Sequence, residues 1–101
     1  MATFYKVSGE IEEVKPENGK TFSYEELQGF VGEGSDKMVE IVPLPSGKSI
    51  IVNEEGKLIG LKKNENATAL WKKEYPFAQY PDNNDELIAG NALVVSEDEL
   101  E

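Results

Sequence analysis

Apolar and polar side chains alternate near the start of the chain, which is the pattern of half-buried β-strands. Residues 3–7 are rich in β-branched and aromatic types, and residues 10–14 alternate Ile11 with charged neighbours. Ser8 and Gly9 between them form a turn pair. The first fourteen residues therefore predict a β-hairpin.

The next pattern is that of a helix start. Ser23 is an N-cap residue type and Glu26 follows three positions later, which together form the capping-box pattern. Phe22 and Leu27 occupy the two positions of a hydrophobic staple. Gly32 is a residue type that ends helices. The pattern predicts a short helix over residues 24–31.

Three short apolar runs follow, over residues 37–44, 49–52 and 57–61, separated by turn-forming residues. They predict an antiparallel meander. Pro43 and Pro45 indicate that its first strand either lies at a sheet edge or ends there, because proline has no N–H to donate to a neighbouring strand.

Asn64 or Asn66 is positioned to cap a second helix that ends near Lys73, with its apolar residues at helical spacing. A polar, proline-containing segment over residues 75–86 predicts a loop, and residues 87–95 predict the last strand. We expect an α+β fold, a small mostly antiparallel sheet with two short helices packed on it. A single domain would span residues 1–95, followed by an acidic C-terminal tail over 96–101 that frays.

Composition narrows the possible functions. The chain has 101 residues with no Cys, His or Arg, and 20 Asp and Glu against 10 Lys give a net charge of −10. Like-charge repulsion disfavours direct binding to nucleic acid and to anionic membranes, and favours a basic protein partner. Apolar runs are too short for a signal peptide or a membrane span, so the expected location is cytoplasmic.

The motifs that resemble catalytic or ligand sites fail their spacing requirements. Gly-Lys-Thr at 19–21 and Gly-Lys-Ser at 47–49 lack the earlier glycine of a phosphate-binding loop, since Val14 and Val42 stand there. An EF-hand is excluded because Leu87 and Leu93 occupy its glycine and last ligand positions. Adjacent carboxylates in a strand point to opposite faces and form no acid–base dyad. The sequence predicts neither an enzyme nor a cofactor.

Two groups of side chains are candidates for binding a partner. Aromatic residues beside prolines in the 75–86 loop are suited to contact a protein surface, whereas Trp71 on the apolar stripe of its helix favours the core. Carboxylates surround that loop and occupy a turn near residue 54, and a weak cation site in the loop remains an alternative to a solvated turn. The candidate partner-binding residues are Glu54, Glu55, Tyr75, Tyr80, Asp82, Asp85 and Glu86.

Several segments together resemble a known family. They are residues 52–61, Asn64, residues 67–71 and 88–95, and the helix at 24–32 with the strand at 39–42. On these segments the chain is similar to a family of small uncharacterised proteins carried by phages, prophages and conjugative elements of gut bacteria. The inserted residues 33–37 and the longer 75–85 loop depart from that pattern.

The resemblance implies a setting, because mobile-element proteins of this size often counter host defences. We expect an acidic protein that blocks a basic, nucleic-acid-handling host protein, with carboxylates in place of phosphates. One alternative is a small-molecule or nucleotide-binding module that sequesters its ligand, which the absence of Arg disfavours. Another is an accessory domain without separable activity. The oligomeric state stays open.

Overall fold

The computed structural model describes residues 2–32, 38–54, 60–74 and 88–100. These residues form five strands, two α-helices and one 3₁₀ turn. In chain order they are β1 (Ala2–Tyr5), β2 (Ile11–Val14), α1 (Tyr24–Val31), β3 (Val39–Pro43), β4 (Lys48–Asn53), α2 (Glu65–Glu74), β5 (Ala92–Ser96) and the 3₁₀ turn Glu97–Glu99.

The strands form one antiparallel sheet in the order β2-β1-β5-β4-β3. The last strand in the chain, β5, therefore lies at the centre, and β3 is an edge strand as its prolines predict. The α+β prediction of a mostly antiparallel sheet with two helices is confirmed. None of the described helices is long and apolar enough to cross a membrane.

Strand residues alternate between the two faces of the sheet, and both faces carry apolar side chains. One helix covers each face. On one face α1 packs over a cluster that includes Phe4, Phe22 and Leu93. Phe30 of α1 lies edge-on to Phe4 and Phe22, with ring centroids 5.0 and 6.0 Å away. On the other face α2 packs over the second cluster: Leu44, Ile50, Val52, Ala67, Ile88, Ala92 and Val94.

Helix α1 begins as its sequence predicts. The Ser23 hydroxyl accepts a hydrogen bond from the Glu26 N–H at 3.2 Å, and the Glu26 carboxylate accepts one from the Ser23 N–H at 3.0 Å. The helix ends at Gly32, whose φ of −72° and ψ of 132° are extended. Any residue adopts these angles, so the helix end does not depend on a glycine conformation.

Helix α2 begins at a buried cap, Asn64, which is 0% exposed. Its side-chain oxygen accepts the Ala67 N–H at 3.0 Å, and its side-chain nitrogen donates to the carbonyls of Tyr5 at 2.9 Å and Gly90 at 3.0 Å. One side chain thus joins the helix start, the end of β1 and the segment before β5.

Two strand predictions need correction. The predicted last strand starts at residue 87, but β5 starts at Ala92, because Ala89 forms only an isolated bridge with Lys63 and Gly90 adopts a φ of +88°. The backbone angle at Gly90 favours glycine, and a Cβ there would lie 2.7 Å from Leu61 Cδ1, so that the Leu61 side chain would have to shift. The second correction concerns the predicted meander, in which a strand over residues 57–61 follows the strand over 49–52. Most of residues 57–61 lie outside the described residues, and the two neighbours of β4 in the sheet are β3 and β5.

The expectation that the C-terminal residues fray is wrong for residues 96–100. Glu99 is 7% exposed, and its carboxylate accepts the Ser96 N–H at 3.0 Å and the Ser96 hydroxyl at 2.9 Å. The Glu99 carbonyl accepts the Phe22 N–H at 2.7 Å, and Leu100 forms a parallel bridge with Phe22. Residues 96–100 are held in place because they pack against the α1-side core and form hydrogen bonds with the residues just before α1.

Candidate functional site

Of the predicted partner-binding residues, the structure describes Glu54. It is exposed in the turn after β4, and its N–H donates to the Met38 carbonyl at 3.0 Å. The other candidates, and with them the alternative cation site, lie outside the described residues; these are Glu55, Tyr75, Tyr80, Asp82, Asp85 and Glu86. Trp71 is half-buried and packs against the α2-side core, in agreement with its predicted place on the apolar stripe.

The described residues bring a different set of carboxylates together. The bridge between Phe22 and Leu100 places the 3₁₀ turn beside the first turn of α1. The loop before α1 joins them, because the Glu17 N–H donates to the Glu26 carboxylate at 2.9 Å. We call this region the acidic end and define it by Glu17, Tyr24, Glu25, Glu97 and Asp98.

Local structure holds each part of the acidic end. A turn in which the Gly19 N–H donates to the Pro16 carbonyl at 3.0 Å presents Glu17. Tyr24 and Glu25 are the first two residues of α1, after the Ser23 cap. The Ser96 hydroxyl shares its one proton between the Asp98 carboxylate at 2.6 Å and the Glu99 carboxylate at 2.9 Å, which fixes the start of the 3₁₀ turn. The region is therefore built on capped elements rather than on a free tail.

Exposure separates the carboxylates that hold the fold from those that face solvent. Glu17, Glu25, Glu97 and Asp98 are exposed. Tyr24, the residue before Glu25, is 49% exposed. Ion pairs among the described residues include those of Lys6 with Glu10 and Glu12 and of Lys63 with Glu65. Lys20 is the lysine in the same turn as Glu17.

The two remaining carboxylates, Glu26 and Glu99, have structural roles. Hydrogen bonds from the backbone N–H groups of Ser23 and Glu17 hold the pKa of Glu26 below its ordinary value. Burial acts to raise the pKa of Glu99, but the donors of Ser96 favour its charged form, and the net result is a pKa below the ordinary value. Both groups stay ionised near neutral pH, where they stabilise the base of the acidic end.

An open pocket lies in another part of the molecule, next to the first hairpin turn. Its volume is about 260 Å³, and its lining residues are Val7, Gly60, Leu61, Lys62, Gly90 and Asn91. The Asn91 side-chain oxygen accepts the Val7 N–H at 3.0 Å, and the Lys62 carbonyl accepts the Gly90 N–H at 2.7 Å. The lining thus combines apolar residues with one lysine and one asparagine.

Sequence reasoning missed both regions for the same reason. The acidic end depends on the pairing of Phe22 with Leu100, and the pocket depends on the approach of Leu61 to Gly90. Each pairing joins segments that are distant in the chain. Two sequence features belong to the acidic end, the capping box at Ser23 and the acidic run after residue 96. Neither pattern indicates that these two segments lie next to each other in the fold.

Comparison with known proteins gives a family. No curated protein and no solved structure matches the chain. A family model described as "Domain of unknown function (DUF3846)" matches residues 5–101, nearly the whole chain. The chain therefore belongs to the DUF3846 family, a domain of unknown function.

Proposed function

We propose that this chain is a non-enzymatic acidic binding protein that docks on a basic protein surface through its acidic end. The observation that carries the proposal is the pairing of Leu100 with Phe22, which brings the C-terminal 3₁₀ turn, with its exposed Glu97 and Asp98, to the segment just before the exposed Tyr24 and Glu25. The net charge of −10 favours the approach of a basic partner over the whole surface.

The chemistry of the acidic end suits such a partner. Carboxylates on ordered elements lose little conformational entropy when they pair with lysine or arginine, because their backbone is already held in place before the partner binds. Tyrosine is a common anchor in protein interfaces, since it combines a large apolar ring with a hydroxyl group. A surface that binds phosphate backbones is basic, so a protein that handles nucleic acid is a suitable class of partner.

The family resemblance supports a biological setting for the proposal. A small protein carried by a phage, prophage or conjugative element of gut bacteria would act in the cytoplasm of its host. There an acidic protein would compete with nucleic acid for a defence protein or another nucleic-acid-handling protein, and inhibit it. The sequence candidates stay predictions of further contact residues; they are Glu54, Glu55, Tyr75, Tyr80, Asp82, Asp85 and Glu86.

A charge-reversal experiment tests the proposal. Glu25→Lys, Glu97→Lys and Asp98→Lys together should lower the amount of host protein captured from lysate by at least about tenfold at low salt. The matched control carries Met38→Lys, Glu40→Lys, Glu65→Lys and Ala69→Lys, which change the net charge by the same amount on exposed positions elsewhere. Capture by the unmodified chain should fall as salt rises from about 0.1 to 0.5 M, because charge pairs are screened.

The outcomes separate local from global charge. Equal loss in the acidic-end triple variant and in its charge-matched control would show that only net charge matters and would contradict a site at the acidic end. Tyr24→Ala changes no charge and should weaken capture by several-fold, as expected for an interface anchor. Capture that survives both the acidic-end triple variant and high salt would remove the basis of the proposal.

The pocket supports a second candidate function, a small-molecule or nucleotide-binding module that sequesters its ligand. The observation in its favour is that Lys62 and Asn91 lie beside apolar residues in the lining, a combination that suits a small organic anion. Native mass spectrometry of protein purified from cells would reveal a retained ligand, and Lys62→Gln should release it. If neither a ligand nor a charge-dependent partner is found, the accessory-domain alternative gains support.

A further inference from the structure

The β2 edge of the sheet has free backbone groups with a defined spacing. Lys6 donates its N–H to the Glu10 carbonyl at 2.9 Å, so the even-numbered residues of the second strand bond toward β1. The odd-numbered residues, Ile11 and Glu13, then direct their N–H and C=O groups away from the sheet. Among the described residues, no hydrogen bond reaches these four groups, and the Ile11 side chain is 54% exposed.

The charges of this edge oppose pairing with a second copy of the chain. A symmetric antiparallel pair centred on Glu12 places that carboxylate opposite itself, and one centred on Glu13 does the same there. A pair centred on Ile11 places Glu10 opposite Glu12. Like charges directly opposite each other across a strand pair are destabilising. The edge is thus protected against its own copies and open to a strand of opposite charge.

We propose that the β2 edge binds an extended, lysine- or arginine-containing strand of a protein partner by adding it to the sheet. This inference deepens the proposed function and rests on its basic partner. Cationic residues would lie opposite Glu12 and Glu13, and apolar residues opposite Ile11 and Val14. In the bound strand this order is apolar, basic, basic, apolar, with backbone hydrogen bonds to Ile11 and Glu13.

The local charges and the chain path agree with this occupant. Lys6 lies 3.1 Å from the Glu12 carboxylate and 3.9 Å from that of Glu10, so one lysine faces two carboxylates on one face of the hairpin. Glu13 lies on the opposite face from Glu12, because successive residues of a strand alternate. The chain leaves β2 toward Glu17, so the docked strand would run next to the acidic end.

A peptide pair tests strand addition separately from charge attraction. The probe is the capped peptide Ser-Val-Lys-Lys-Val-Ser. When the peptide pairs antiparallel to β2 with its first Val opposite Val14, the N–H groups of its first Lys and second Val face β2. N-methylation of those two residues removes the donors and keeps the charge, whereas N-methylation of its first Val and second Lys places the methyl groups on the outer edge. The first modification should weaken binding at least about tenfold, and the second should leave it within about twofold.

A protein variant pair gives an independent measurement. Ile11→Pro removes one outward N–H without removing a bond to β1, and should weaken binding of the unmethylated peptide about tenfold. The control is Ile41→Pro on the other edge strand, where Leu44 donates to Lys48 at 2.8 Å and so the odd-numbered residues face outward. This control should bind normally. Circular dichroism and thermal melting would verify that both variants fold.

Amide exchange of the unmodified protein completes the test. Saturating peptide should slow exchange at the Ile11 and Glu13 N–H groups, which face outward, and change little at the inward groups of β2. Equal binding by both methylated peptides, or unchanged exchange at Ile11 and Glu13, would overturn strand addition. If peptide binding in that case still depended on salt and on the acidic end, the proposed function would stand without it.

Discussion

The two helices begin in different surroundings, and the difference is informative. Helix α1 is capped by Ser23, whose hydrogen-bond partner Glu26 lies three residues away in the same segment. Helix α2 is capped by Asn64, which is fully buried and also holds two carbonyls from other parts of the chain. The first cap is a local device, and the second is a junction of the tertiary structure.

Replacement of the buried cap should have the largest effect on stability. Asn64→Ala removes the α2 cap and leaves the Tyr5 and Gly90 carbonyls without their buried donor, so we expect a loss of about 3 kcal/mol in the free energy of unfolding. Urea denaturation measures it. The control is Asn66→Ala, because that half-buried side chain donates one longer bond to the Gly9 carbonyl at 3.4 Å. A loss of similar size in both variants would contradict the role of Asn64 as a buried junction between three parts of the chain.

Replacement of the local cap should cost less. Ser23→Ala removes the hydroxyl that accepts the Glu26 N–H, and we expect a loss of about 1 kcal/mol. Ser23→Asp keeps an acceptor at the cap and should recover most of that loss. Denaturation under the same conditions makes the two helices directly comparable. If Ser23→Ala proved as costly as Asn64→Ala, the contrast between a local cap and a tertiary junction would be lost.

Acid should weaken the α1 cap and spare the α2 cap, with the smallest effect of the three. The pKa of Glu26 is lowered in the folded chain, so its stabilisation is fully present above the ordinary value of 4.5 and is lost as the pH falls through the folded value. Neither Asn64 nor its carbonyl partners titrate. Glu26→Gln should therefore flatten the decline of stability below pH 4.5, as measured by urea denaturation at several pH values. An unchanged decline would contradict a charged role for Glu26.

The same contrast explains which parts of the fold the sequence predicts. Helix α1 has the predicted bounds because the capping box and apolar spacing lie within one segment. Asn64 was predicted as one of two possible caps, but its bonds to Tyr5 and Gly90 join residues that only the folded chain brings together. Local propensity therefore identifies where a helix starts, and tertiary contacts decide what else its cap does.

The errors at the end of the chain have a similar origin. Ile88 and Ala89 are buried and as apolar as strand residues, but they contact α2 and the residues just before α2 instead of a neighbouring strand. For example, the Ile88 N–H donates to the Thr68 hydroxyl of α2 at 2.9 Å. The acidic run after residue 96 has the composition of a solvated tail. Its packing depends on the meeting of Leu100 with Phe22, which no local pattern contains.

The central position of β5 has a consequence for synthesis of the protein. A nascent chain that has not yet reached Ala92–Ser96 contains the β1-β2 hairpin and the β3-β4 hairpin without the strand that joins them. Isolated hairpins are at best marginally stable in water. The sheet and both of its cores therefore form late, and a ribosome that stalls before residue 96 would hold two unjoined hairpins with their apolar faces available to chaperones and proteases.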